Sequence, residues 1–145
     1  MGLVLYTTEC EDEKETVFTV DEYLDGERGE IGRLDESLHW LGQAILRINE
    51  ANGWEITDPG AWEGLVASGG KYKLPAIIAL IHSEASEALE AYRNRDMENF
   101  KEEMGDILIR VLDCMAGLEM DIVGPIIAKL KKNRTRGHRH GGKLV

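Results

Sequence analysis

Two acidic pairs, each spaced i, i+3, are the residues of this chain best suited to chemistry. The first is Glu84 and Glu87 in His82-Ser83-Glu84-Ala85-Ser86-Glu87-Ala88-Leu89. The second is Glu103 and Asp106 in Lys101-Glu102-Glu103-Met104-Gly105-Asp106-Ile107-Leu108. On a helix, residues three apart stand on neighbouring turns of one face. Ile77, Ile81, Glu84, Ala88 and Ala91 follow the spacing of a buried seam, so Glu84 takes a position that suits an apolar side chain. A lone carboxylate there costs several kcal/mol or titrates to its neutral form. Four carboxylates gathered around a divalent cation are another solution. Mg²⁺ takes oxygen ligands and keeps waters and phosphate oxygens in its shell.

The elements that must position these pairs are helices. One helix is expected from Asp35, as N-cap, to Gly53, with Leu38, Leu41, Ile45 and Ile48 as its apolar stripe. A second opens at Leu74-Pro75, where proline suits the first turn, and runs to about Asn94. After a brief turn the third runs from about Met97 to Leu118, with Met104, Leu108, Val111, Met115 and Leu118 as its seam. A short link sets these two side by side. Glu87, seven residues before Asn94, and Asp106, nine after Met97, then lie at nearly the same level, given about 1.5 Å of rise per residue. Asp121 can cap a last helix from Ile122 to about Asn133. Upstream, Leu3-Val4-Leu5-Tyr6 and Thr16-Val17-Phe18-Thr19-Val20 read as two short strands of an N-terminal arm or hairpin.

The order Glu84-x-x-Glu87, linker, Glu103-x-x-Asp106-Ile-Leu resembles the all-α nucleoside triphosphate pyrophosphohydrolases of the MazG-like family. The tail Lys129-Leu-Lys-Lys-Asn133-Arg-Thr-Arg136 is similar to that family's Lys-x-x-x-Asn-x-x-Arg ending. The likeness covers roughly residues 35 to 143. It departs from common family patterns at Phe100, where some members carry Lys, and at Ser83, where Glu is common.

The resemblance implies an all-α, four-helix-bundle-like fold completed by dimerisation. It divides the chain into an N-terminal arm (1–34), a helical pyrophosphohydrolase domain (35–136) and a basic C-terminal tail (137–145). It implies Mg²⁺-dependent hydrolysis of a nucleoside triphosphate, a deoxynucleotide first, to the monophosphate and pyrophosphate, with Mn²⁺ as the alternative cation. Glu84, Glu87, Glu103 and Asp106 would be the catalytic metal shell, one of them or Glu102 holding the attacking water. Lys129, Asn133 and Arg136 would hold phosphates, and Trp54 would stack on the base. Phosphoribosyl-ATP is the alternative substrate. The implied assembly is a homodimer or a dimer of dimers.

Composition narrows the classes further. The net charge is −10, yet residues 129–145 hold seven of the seventeen Lys and Arg and no acid. An acidic body argues against wrapping duplex nucleic acid, and a basic tail beside acids fits a small polyphosphate. No apolar run approaches the roughly 18 residues of a membrane span. Two cysteines, Cys10 and Cys114, make no disulfide framework, and a reducing, cytoplasmic setting fits them. Gly69-Gly70 lacks the spacing of a phosphate loop, and Lys71 and Lys73 read as solvated loop lysines. His138 and His140 have no Cys partner for a zinc site.

Two other classes compete. A di-iron carboxylate bundle calls for Glu-x-x-His, whereas His82 precedes Glu84 by two residues. A non-catalytic helical dimerisation or regulatory module would leave the acids solvated or paired with the tail.

Overall fold

The computed structural model describes residues 4–6, 17–19, 29–65 and 70–135. The fold is all-α. Among the described residues it has four α-helices: α1 (Glu30–Ala51), α2 (Lys73–Asn94), α3 (Met97–Gly117) and α4 (Val123–Arg134). Two three-residue strands, β1 (Val4–Tyr6) and β2 (Val17–Thr19), pair antiparallel, with Leu5 opposite Phe18. The two short strands expected at the N-terminus are therefore present and paired. None of the described helices is long and apolar enough to cross a membrane.

The chain divides into two compact units. One is Leu38–Ile122; the other takes the described residues of Met1–Ser37 with those of Val123–Val145. In the second unit, Val123 and Ile127 are buried on α4. The last turn of α4 carries Lys131, Lys132 and Arg134, cations that complement the negative end of the helix dipole.

Helix α1 is longer than its sequence signals suggest. It starts at Glu30 rather than at Asp35. Gly29, at φ 76°, accepts the opening hydrogen bond from Arg33 N, and the half-buried Ile31 and Leu34 extend the apolar stripe backwards. At its other end Gly53 (φ 82°) closes the helix as expected. Gly53 N donates to Glu50 O and Trp54 N to Asn49 O, the paired bonds of a glycine C-terminal cap.

The buried stripe of α1 also differs from the expected one. Ile45 is buried and Leu38 packs against it, but Leu41 and Ile48 are exposed. The inward positions between and beyond are Gly42 and Asn49. A Cβ at Gly42 would stand 2.8 Å from the Ala116 Cβ, so glycine is what lets α1 approach α3. Asn49 Nδ2 donates to Asp113 Oδ1 at 2.9 Å. Ile45, Leu112 and Ile122 form the core of this corner, with Leu38 and Met115 against it. Gly117 is packed more tightly still, since a Cβ there would stand 2.5 Å from the Thr57 carbonyl oxygen.

Helices α2 and α3 make a close hairpin. The expected seam of α2 holds: Ile77, Glu84, Ala88 and Ala91 are buried and Ile81 is half-buried. The small residues Ala88 and Ala91 permit close approach. The seam expected on α3 does not hold in its first half, where Met104 and Leu108 are exposed. The buried residues are Glu103, Leu112, Ala116 and Gly117. The link is two residues long. Arg95 ends α2 in the left-handed conformation (φ 59°, ψ 29°), and Asp96 begins α3 by accepting a hydrogen bond from Asn99 N. At this tip Ala91, Tyr92, Arg95, Asp96, Met97 and Phe100 line a cleft of about 260 Å³.

Candidate metal centre

The acidic residues meet across the α2–α3 hairpin. Glu84 and Glu87 come from α2 and Glu103 from α3, and one carboxylate oxygen of each lies within 4.8 Å of the other two. Local sequence explains the placement. Glu84 shares the face of Ile77, Ala88 and Ala91, so the packing that buries those residues carries it inward, to 8% exposure. Glu103 stands on the inward face of α3 and is 9% exposed. Glu87 sits at the edge, exposed, and accepts a hydrogen bond from Ser83 Oγ at 3.3 Å. Glu87 is seven residues before the end of α2 and Glu103 six after the start of α3. At about 1.5 Å per residue those two are level.

Asp106 stands one turn beyond Glu103, exposed, and is not one of the three that converge. Its charge is nevertheless felt at the site. The Glu103 carboxyl is held above its ordinary range, first because packing strips it of water, then by the charges of Glu87, Asp106, Glu84 and Glu102. Crowding of this kind disfavours one more negative charge and favours a cation.

A residue not singled out from the sequence completes the site. Arg110 of α3 donates from Nε to Glu84 Oε1 at 3.1 Å, and the Glu84 side chain is only 11% exposed. Arg110 interrupts the apolar run Ile107-Leu108-Ile109-Arg110-Val111-Leu112. It lies seven residues from Glu103, two turns along the same face. An arginine inside such a run was the signal available in the sequence.

The donor set fits a hard divalent cation. All three groups are carboxylates, the ligands suited to Mg²⁺ and Mn²⁺ rather than to softer metals. Oxygens on opposite sides of Mg²⁺ lie about 4.2 Å apart, from bonds of about 2.1 Å. Neighbouring oxygens in the octahedron lie about 3.0 Å apart, so oxygens up to 4.8 Å apart need to draw in by up to about 2 Å, within the reach of side-chain rotation.

Other expected residues sit on other elements. Trp54 follows the Gly53 cap and is 70% exposed; Trp62, at the end of the 3₁₀ turn Pro59–Ala61, is 78% exposed. Lys129 and Asn133 are exposed on α4. Arg136 lies outside the described residues, as do Cys10, Gly69, His138 and His140. Lys73 donates to Glu55 O at 2.7 Å, and Lys71 stands over the Tyr72 ring, so both serve the connector locally. Cys114 is a free, half-buried thiol, raised by burial and by Asp113.

Comparison with known families gives the same assignment. No curated protein and no solved structure matches the chain. Residues 73–139 match the MazG nucleotide pyrophosphohydrolase domain. The match begins with α2, contains Glu84, Glu87, Glu103, Asp106 and Arg110, and runs through Lys129, Asn133 and Arg136; Trp54 precedes it. Over that span, which holds the whole acidic site, the chain is similar to the MazG nucleotide pyrophosphohydrolase domain.

Proposed function

We propose that the chain hydrolyses a nucleoside triphosphate between its α and β phosphates, in a reaction that depends on Mg²⁺ or Mn²⁺. The observation that carries this is the convergence of Glu84, Glu87 and Glu103 inside the matched domain. These three, with Asp106 at the rim, hold the cation. When bound, the cation offsets the charge of the phosphates and polarises their oxygens. Water attacks one of the two phosphorus atoms that flank the α–β bridge, that atom's bond to the bridging oxygen breaks, and monophosphate and pyrophosphate separate while the water's proton passes to a carboxylate or to solvent. Glu102 or one of the four acids orients that water. Lys129, Asn133 and Arg136 are the groups assigned to the phosphates, and Trp54 supplies an exposed aromatic face for the base.

A deoxynucleotide is the first substrate class to test, with phosphoribosyl-ATP as its competitor. The panel is pyrophosphate release from ribo- and deoxynucleoside triphosphates and phosphoribosyl-ATP, with and without Mg²⁺, beside the double variant Glu84→Gln, Asp106→Asn. Cation-dependent release that the variant loses is the expected result. Folded protein that releases nothing and gains no stability from Mg²⁺ would leave a helical interaction module.

We also propose that the assembly is a dimer, or a dimer of dimers. Ile78, Leu89 and Tyr92 of α2 and Met97, Met104 and Leu108 of α3 are all exposed. Each set lies about 100° around its helix from the acid-bearing face. The level pairing of Glu87 with Glu103 and of Glu84 with Arg110 makes the helices antiparallel, which puts both sets on one side of the hairpin. A second copy laying its own hairpin there would cover both.

A further inference from the structure

Arg110 has no role in the reading above, and its position suggests one. We propose that Arg110 is a built-in counter-cation that competes with the divalent cation for Glu84, so that the nucleotide-free site holds its metal loosely. The inference rests on the proposal that these acids bind a cation.

Glu84 is the most enclosed of the three converging acids, and its Oε1 is already bonded to the Arg110 Nε. A carboxylate in that seam needs a positive partner, and the guanidinium supplies one in the absence of metal. Three carboxylates against one guanidinium leave an excess of two negative charges, which one divalent cation offsets. The single charge of Glu84 is then shared between two cations that repel each other. Two ligands drawing on one group couple negatively, and the coupling is reciprocal. Arg110 is tethered, so it is always present at high effective concentration. Its side chain is 39% exposed, enough for the guanidinium to turn into water when the metal prevails. A triphosphate, which contributes oxygens and negative charge of its own, shifts that competition towards the metal. The cation is therefore taken up with the nucleotide rather than before it.

The test is Mn²⁺ binding by titration calorimetry to metal-stripped, nucleotide-free protein, for wild type, Arg110→Gln and Arg110→Lys. Typical coupling between two ligands bound to one protein is about 5–150-fold. Arg110→Gln is expected to bind Mn²⁺ about tenfold more tightly and to melt at a lower temperature without metal. Arg110→Lys, which keeps the charge, is expected to stay close to wild type. A folded Arg110→Gln that binds Mn²⁺ equally or more weakly overturns the inference, while wild-type binding preserves the metal-site reading. Wild type that binds no Mn²⁺ overturns both. Should Arg110→Gln not fold, the Nε–H resonance of Arg110 in wild type answers the question. It is expected to move as Mg²⁺ is added, with the dissociation constant seen in thermal melts, and an unmoved resonance sinks the proposal.

Discussion

Replacing Glu84 by Leu should make the metal-free protein more stable while abolishing its cation response. Glu84 sits in a seam with Ile77, Ala88 and Ala91, its side chain 11% exposed, so leucine meets an apolar environment already built for it. Burying a leucine side chain is worth about 1.5–3 kcal/mol. Against that stands the lost pair with Arg110, whose guanidinium is 39% exposed and can be rehydrated, so its loss costs about 0.2–1 kcal/mol. The two losses of the pair are unequal, since removing Arg110 strands a buried carboxylate whereas removing Glu84 strands nothing. The net gain is about 1–2 kcal/mol, or roughly 3–8 °C in melting temperature for a chain of this size. The assay is thermal melting at fixed protein concentration, in EDTA and in Mg²⁺. In saturating Mg²⁺ the order should invert: a ligand at 100 times its dissociation constant adds about 2.7 kcal/mol to wild type and nothing to the variant. A Glu84→Leu protein that melts lower than wild type in EDTA would refute the reasoning. The Glu84–Arg110 pair would then be a structural contact, and the burial of Glu84 would no longer point to a cation.

Glu103 gives a pH-dependent counterpart. Its folded-state pKa is raised, so the stability it lends is complete below its unfolded pKa and is lost as pH rises through the folded value. At neutral pH without metal the ionised Glu103 is destabilising. Glu103→Gln should therefore melt higher than wild type at pH 7 in EDTA, with the difference shrinking towards pH 4; parallel curves across that range would contradict it. In Mg²⁺ the same variant should lose most of the cation-induced gain. At the hairpin tip, Arg95 holds the left-handed conformation without being glycine. Arg95→Gly should add about 1 kcal/mol in denaturant unfolding, and a loss of stability would show that the arginine side chain contributes more than its backbone strain costs.

The sequence by itself determined the helices and the hairpin that carries the acids. Helix existence follows from apolar spacing, and ends followed from Gly53 and Pro75, because such signals act through local backbone geometry. The seam of α2 was legible for the same reason, since Glu84 stands in register with Ile77, Ala88 and Ala91. The early start of α1 was not, because Asp35 reads as the N-cap while the chain is already helical after Gly29.

Which apolar stripe is covered was decided only by tertiary structure. On α3 the apolar stripe through Met104 and Leu108 is exposed, while Glu103 is buried on one side of the helix and Leu112 and Ala116 on roughly the opposite side. Hydropathy favours Met104 and Leu108, yet Glu103 is covered on the hairpin side by α2, and Leu112 and Ala116 pack against Ile45 and Gly42 of α1. On α1, Gly42 and Asn49 face inward in place of Leu41 and Ile48. A glycine admits the approach of Ala116, and an amide finds Asp113, and neither preference registers as hydrophobicity. The pairing of Arg110 with Glu84, 26 residues apart, likewise needs the hairpin closed before it exists. Local spacing can place a charge on a face; only the packed neighbour decides whether that charge meets water, a guanidinium or a metal.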